Sequence, residues 1–115
     1  MKTKGIKILM WICISLLTLQ FLGAGVTKLL GGWSSKFIAW GYSSTFVYTI
    51  GSLEIIGVVG LFLPKARKWS AILLTFIMVG AAYTHLSYSE PVRVVHNGII
   101  TGLLLLVIRL DQKLR

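Results

Sequence analysis

The sequence predicts an all-α membrane bundle of four transmembrane helices, with a short interfacial helix between the first two. Three observations lead there. Of 115 residues, 56% are hydrophobic and 13% charged, whereas soluble domains carry about 25% charged residues, so this set cannot cover a water-facing surface. Mean hydropathy is +0.83. The apolar residues fall in four runs, at about 6–30, 44–63, 69–86 and 91–110. Each is long enough, or nearly so, to cross a hydrocarbon core of about 30 Å at about 1.5 Å per residue. Helices close their own backbone hydrogen bonds in such a solvent, which is why these runs read as helices.

The first run, from about Ile6 to Leu30, follows Lys2, Lys4 and Lys7 and passes the small residues Gly23, Ala24 and Gly25, a pattern that also suits a signal peptide. Its apolar character continues to Leu30 and the later runs need a membrane, so it is expected to be retained. The connection 31–43 places Trp33, Phe37 and Trp40 at i, i+4 and i+7, on one helical face. Aromatic rings favour the headgroup level, so a short helix there either lids the bundle or anchors the loop as part of an aromatic belt. The second run, Ser44 to Leu63, is stopped by Pro64, which cannot continue a helix. Trp69 to Leu86 and Pro91 to Leu110 complete the four. The 115 residues read as one domain, without internal repeat, linker or low-complexity tract, and with no room for a soluble catalytic domain.

Charge sets the expected orientation. With both termini on the inner side, nine of the twelve Lys and Arg residues lie inside, leaving Lys28, Lys36 and Arg93 outside. The positive-inside rule then puts both termini in the cytoplasm and the chain in a plasma membrane. The net charge of +9 sits between apolar runs rather than on one polar face, so no nucleic-acid partner is expected. The lone Cys13 excludes CxxC redox chemistry, an intrachain disulfide and a cysteine-based zinc site, and no metal-ligand cluster is expected.

Polar residues inside the runs are the functional candidates. Glu54 lies near the middle of the apolar stretch Phe46 to Leu63, and a carboxylate at that depth costs roughly 2.5 to 3.5 kcal/mol on insertion scales unless it has a partner or a task. Counting about 1.5 Å per residue from the inner boundary puts Glu54 about 14 Å deep and Gln20, His96 and Asn97 about 17 to 18 Å, with His85 and Lys28 nearer the outside. Gln20, Gly23, Ala24 and Thr27 make one expected inward stripe; Gly51, Glu54, Gly57 and Leu61 make a second; Met78, Ala81, Ala82 and His85 a third. Asn97 and Thr101 stand at i, i+4 on the fourth helix, and Gln20 is expected to face Glu54 across the first two helices.

Each candidate also has a plain structural role. Glu54 is a ligand or proton site, or an acid that holds helices together; Gln20 and Asn97 suit interhelical hydrogen bonding. His85 suits the outer interface, and His96 lies close to the start of its helix at Pro91. Lys28 is expected to extend its ammonium to the membrane surface, although its stem could reach Glu54. A haem between His85 and His96 would require both rings to face one cavity, an arrangement that two histidines alone do not favour.

Gly25-Val26-Thr27-Lys28-Leu29, Trp40-Gly41-Tyr42, Gly51-Ser52-Leu53-Glu54, Gly57 to Pro64, Arg67-Lys68-Trp69, and Met78 to His85 follow one another along the chain. In order and spacing this resembles the DoxX-like family of small four-helix membrane proteins, over about Phe21 to Ile108. In that resemblance Lys28, Glu54 and His85 match recurrent polar positions, whereas the fourth helix matches least distinctively, leaving His96 and Asn97 to rest on depth.

The family takes its name from a subunit associated with thiosulfate:quinone oxidoreductase. The resemblance therefore implies an accessory subunit of a quinone- or thiol-linked membrane oxidoreductase. In such a subunit Gln20, Lys28, Glu54, His85, His96 and Asn97 would form a pocket for a quinone or other small amphipathic ligand. With no cysteine pair or cofactor motif, electrons would come from a partner protein. The alternatives are a non-enzymatic module that binds or transports a small solute or lipid, as a homo-oligomer or otherwise, and a structural membrane partner.

Overall fold

A computed structural model describes residues 3–115. Among these the chain forms five helices and no strand: α1 (Thr3–Leu29), α2 (Ser34–Ala39), α3 (Ser44–Leu61), α4 (Arg67–Ser87) and α5 (Pro91–Lys113). The four long helices are long and apolar enough to cross a membrane. Their 27, 18, 21 and 23 residues correspond to about 27 to 40 Å at about 1.5 Å per residue. The bundle is 48 Å along its longest axis, matching a bilayer of about 40–45 Å with its headgroups. This is a multi-pass membrane protein.

Short connections make each helix antiparallel to the next, and α1 packs on α3, α3 on α4, α4 on α5 and α5 back on α1. The ring encloses a core of Met10, Ile14, Leu17 and Phe21 from α1, Val58 and Leu61 from α3, Leu74 and Met78 from α4, and Leu104 and Val107 from α5. Outward positions such as Leu19, Phe76, Tyr83 and Val92 are exposed, as lipid contact requires.

Helix ends follow local chemistry. The Ser43 hydroxyl accepts from the Phe46 amide, 3.1 Å, and caps α3. Pro91 opens α5 at a position whose missing N–H has no helical partner. α3 stops at Leu61, two residues short of the apolar boundary, because Leu63 and Pro64 already belong to the turn in which the Arg67 amide donates to the Leu63 carbonyl. α4 begins two residues earlier than hydropathy indicates, at Arg67, and α1 and α5 continue past theirs through Lys4 and Gln112. Helical bonding does not end where apolar residues do.

The inward stripe of α1 corrects the expectation from sequence. Ile6, Met10, Cys13, Leu17, Phe21, Gly25 and Lys28 are buried, whereas Gly23 and Thr27 are exposed, so the face is turned by about one residue. Packing decides this. A methyl group added to Gly25 would lie 2.9 Å from the Gly51 carbonyl oxygen, and one on Gly51 would lie 3.0 Å from the Gly25 oxygen and from Lys28 Cβ. α1 and α3 thus cross backbone to backbone, the close approach that small residues permit in membranes.

Candidate functional site

The close approach of Gly25 and Gly51 brings Lys28 over α3. Gly51 and Glu54 lie one turn apart on the face that meets α1, so the crossing at Gly25 and Gly51 delivers the Lys28 ammonium to Glu54. Lys28 Nζ is 2.7 Å from Glu54 Oε1, and both residues are buried, Glu54 completely. Lys28 therefore turns inward, and the expectation that it extends to the surface fails. A buried carboxylate attracts the ammonium more strongly than distant water does.

Above this pair lies a cavity of about 480 Å³. Gln20, Lys28, Glu54, His85, His96 and Asn97 all line it. Their pairings differ from those expected. Gln20 Oε1 meets His96 Nε2 at 3.0 Å across α1 and α5, so its partner is His96 rather than Glu54. His85 is buried in the last turn of α4, with Nδ1 2.7 Å from Glu90 Oε1. Asn97 is buried, and among the described residues its Nδ2 has no partner; nor does Glu54 Oε2. Both residues line the one cavity, and each carries an unused polar atom, a donor on Asn97 and an acceptor on Glu54.

Aromatic rings supply much of the remaining wall. Trp33, Phe37 and Trp40 bracket α2 and line the cavity, with Phe37 5.3 Å from Trp40 and 6.2 Å from Trp33, centroid to centroid. Of the two roles open to this segment, roofing the bundle is the one its contacts describe. Gly31 and Gly41, at φ of 88° and 91°, turn the chain into and out of α2 in a conformation that suits glycine.

The roof is tethered at Glu90. Lys36 Nζ on α2 is 2.7 Å from Glu90 Oε2, and the Tyr88 hydroxyl donates to the Trp40 carbonyl at 2.9 Å. The hydrogen bond from Lys36, and then that from His85, hold the Glu90 carboxyl below its ordinary value. Arg93 completes the mouth: its guanidinium stands 5.1 Å from the Trp33 ring, where Lys28 at 5.3 Å and Lys36 at 5.7 Å also approach. Tyr42 and Thr84 close the adjacent wall through hydroxyls 2.8 Å apart.

The opposite end is shut. The Arg67 guanidinium donates from Nε to the Leu61 carbonyl at 2.8 Å and from Nη1 to Asp111 Oδ1 at 3.2 Å. Arg115 Nε reaches Asp111 Oδ2 at 3.1 Å and its Nη2 reaches the Pro64 carbonyl. This clasp joins both ends of the α3–α4 turn to α5. A second depression, about 520 Å³, lies along Lys7, Trp11, Ser15 and Leu19 on the outside of α1; its exposed, apolar lining marks it as lipid-facing surface rather than a site.

Sequence reasoning offered Trp33, Phe37 and Trp40 as a lid or an aromatic belt without counting them among the pocket residues, and it missed Arg93 and Glu90 as parts of this site. Glu90 had one legible cue: Arg93 stands three residues away.

Comparison with known proteins adds the family and little else. The profile of the DoxX-like family matches residues 12–108, whereas no curated protein and no solved structure matches the chain significantly. The chain belongs to the DoxX-like family.

Proposed function

We propose that this DoxX-like membrane protein holds a small, planar, amphipathic molecule of the quinone type in its intramembrane cavity, as an accessory component beside a membrane oxidoreductase that supplies the electrons. The observation that carries the proposal is a buried Lys28–Glu54 ion pair beneath an aromatic-walled cavity of about 480 Å³. Burying such a pair is expensive, and structure alone is poorly served by it, because well-packed apolar residues of similar volume often do as well or better. A ligand site gives it a use. Rings stack on Trp33, Phe37 and Trp40, while Lys28, Asn97 and the Gln20–His96 pair address oxygen atoms on the ligand.

The residues divide the work. Lys28 and Asn97 orient an oxygen by hydrogen bonding, Glu54 offers an acceptor, and His96, bonded to Gln20, stands within the same lining as a proton carrier. Phe76 and His96 are exposed as well as cavity-lining, which puts part of the rim on the flank of the bundle, where a lipid-dissolved molecule arrives. The Arg67–Asp111 clasp and the apolar core beneath Glu54 favour binding over passage of a solute through the bundle.

In the membrane, both termini face the cytoplasm and the roofed mouth faces outward, a placement in the plasma membrane supported by the nine-to-three distribution of Lys and Arg. Native mass spectrometry from mild detergent, with ultraviolet and visible spectra, tests the proposal. A co-purifying small molecule with a quinone-type spectrum is expected on the wild-type protein and is expected to be lost from Glu54→Gln. A folded wild-type protein carrying only phospholipid, with the same profile in Glu54→Gln, would contradict it.

A further inference from the structure

We infer that the cavity takes a hydroxylated aromatic, a phenol or hydroquinone in type, in preference to the corresponding ether. The inference rests on the cavity being a ligand site and concerns which chemistry that site accepts. It follows from two atoms. Glu54 is 0% exposed and Asn97 5%; both line the cavity, and neither Glu54 Oε2 nor Asn97 Nδ2 has a hydrogen-bond partner among the described residues.

The carboxylate of an ion pair only accepts, and the amide nitrogen only donates. The matching ligand therefore presents a donor and an acceptor. A hydroxyl group carries both. An ether oxygen could accept from Asn97 but would bring only lone pairs toward Glu54, leaving the buried Oε2 without a donor. An ammonium group could donate to Glu54, but Lys28 already holds that carboxylate, and Lys36 and Arg93 at the mouth face only the one carboxylate of Glu90, so a cationic ligand would approach a net positive entrance. The aromatic part follows from Trp33, Phe37 and Trp40, whose rings offer faces and edges to a planar body. Sites built to hydrogen-bond a hydroxyl discriminate strongly against analogues lacking it, because the site's own polar groups are then left unpaired.

The test is a matched probe pair, 4-butylphenol and 4-butylanisole, titrated against the full-length protein in nanodiscs with empty nanodiscs subtracted. Quenching of tryptophan fluorescence reads occupancy, since Trp33 and Trp40 form part of the wall. The phenol is expected to saturate the protein at a concentration about tenfold or more below the anisole, and this ratio is expected to fall toward one in Asn97→Leu and in Glu54→Gln. Equal affinity of wild type for the two probes would overturn the hydroxyl preference while leaving a ligand cavity standing. Saturable binding of neither probe would overturn both. A phenol preference that persists unchanged in both variants would also overturn the inference, since the discrimination would then arise elsewhere. The wild-type comparison needs no substituted protein, so a variant that fails to fold does not remove the test.

Discussion

All three acidic residues of the chain are paired, Glu54 with Lys28, Glu90 with Lys36 and His85, and Asp111 with Arg67 and Arg115. With twelve basic residues available, each acid chooses its partner by geometry. Truncating Lys28 leaves Glu54 buried and unpaired, so Lys28→Ala is expected to destabilise the bundle by about 3–5 kcal/mol. The double change Lys28→Met with Glu54→Leu is expected to recover most of that loss. Thermal unfolding in detergent checks both, and equal stability of Lys28→Ala and wild type would sink the pair as a structural element. Glu90 behaves differently because it lies outside the spans. Its carboxyl is held below the usual 4.5 by Lys36 and His85, so its contribution to holding α2 is complete above about pH 4.5 and is lost as the pH falls through the lowered folded value. The fluorescence of the tryptophans beside α2 is expected to change in that acidic window, and Glu90→Gln to abolish the change; an identical titration in the variant would contradict the tether. At this scale the sequence showed the polar residues but not their partners. Lys28, Gln20 and His96 stand in the lining as polar residues in apolar helices should, yet which of them meets depends on a rotation of α1 that periodicity did not resolve.

Helices meet here through specific glycines, and the structure separates those that matter from those that do not. A side chain on Gly51 would strike the Gly25 carbonyl and Lys28 Cβ, whereas one on Gly23 would meet nothing within 4 Å. Gly51→Leu is therefore expected to lose about 1–3 kcal/mol or more and to separate Lys28 from Glu54. Gly23→Leu is expected to remain within about 0.5 kcal/mol of wild type, as exposed substitutions usually do. Melting temperatures in one detergent decide it, and similar losses from both would show that α1 does not present the Gly25 face. Four long helices and a short one were legible because apolar runs, Pro64 and Pro91 punctuate the chain. The α1 face was not, since helix periodicity places Gly23 and Gly25 only two residues apart and most α1 positions between Ile8 and Leu22 are apolar. The buried clasp of Arg67 and Asp111 escaped for a related reason: charges near helix ends are ordinarily solvated, and only tertiary packing reveals that these two are not.

The whole molecule is polarised, with a closed end at Arg67, Asp111 and Arg115 and a roofed cavity under α2 at the other. Reporter fusions after Lys65 and after Arg115 are expected to read cytoplasmic, and insertions at Lys36 to read outside; a fusion after Lys65 that reads outside would reverse the mouth. The central claim, that the roofed cavity is where a lipid-dissolved quinone-type molecule binds, is tested most directly by photolabelling. An azido-substituted short-chain benzoquinone, irradiated with the protein in liposomes and mapped by peptide mass spectrometry, reports the site of contact. Adducts are expected on the cavity lining, on residues such as Trp33, Met78 and His96, and are expected to disappear in Ala81→Trp, which fills the space from α4. Adducts confined to the lipid-facing depression around Trp11 and Leu19, unaffected by Ala81→Trp, would contradict the account.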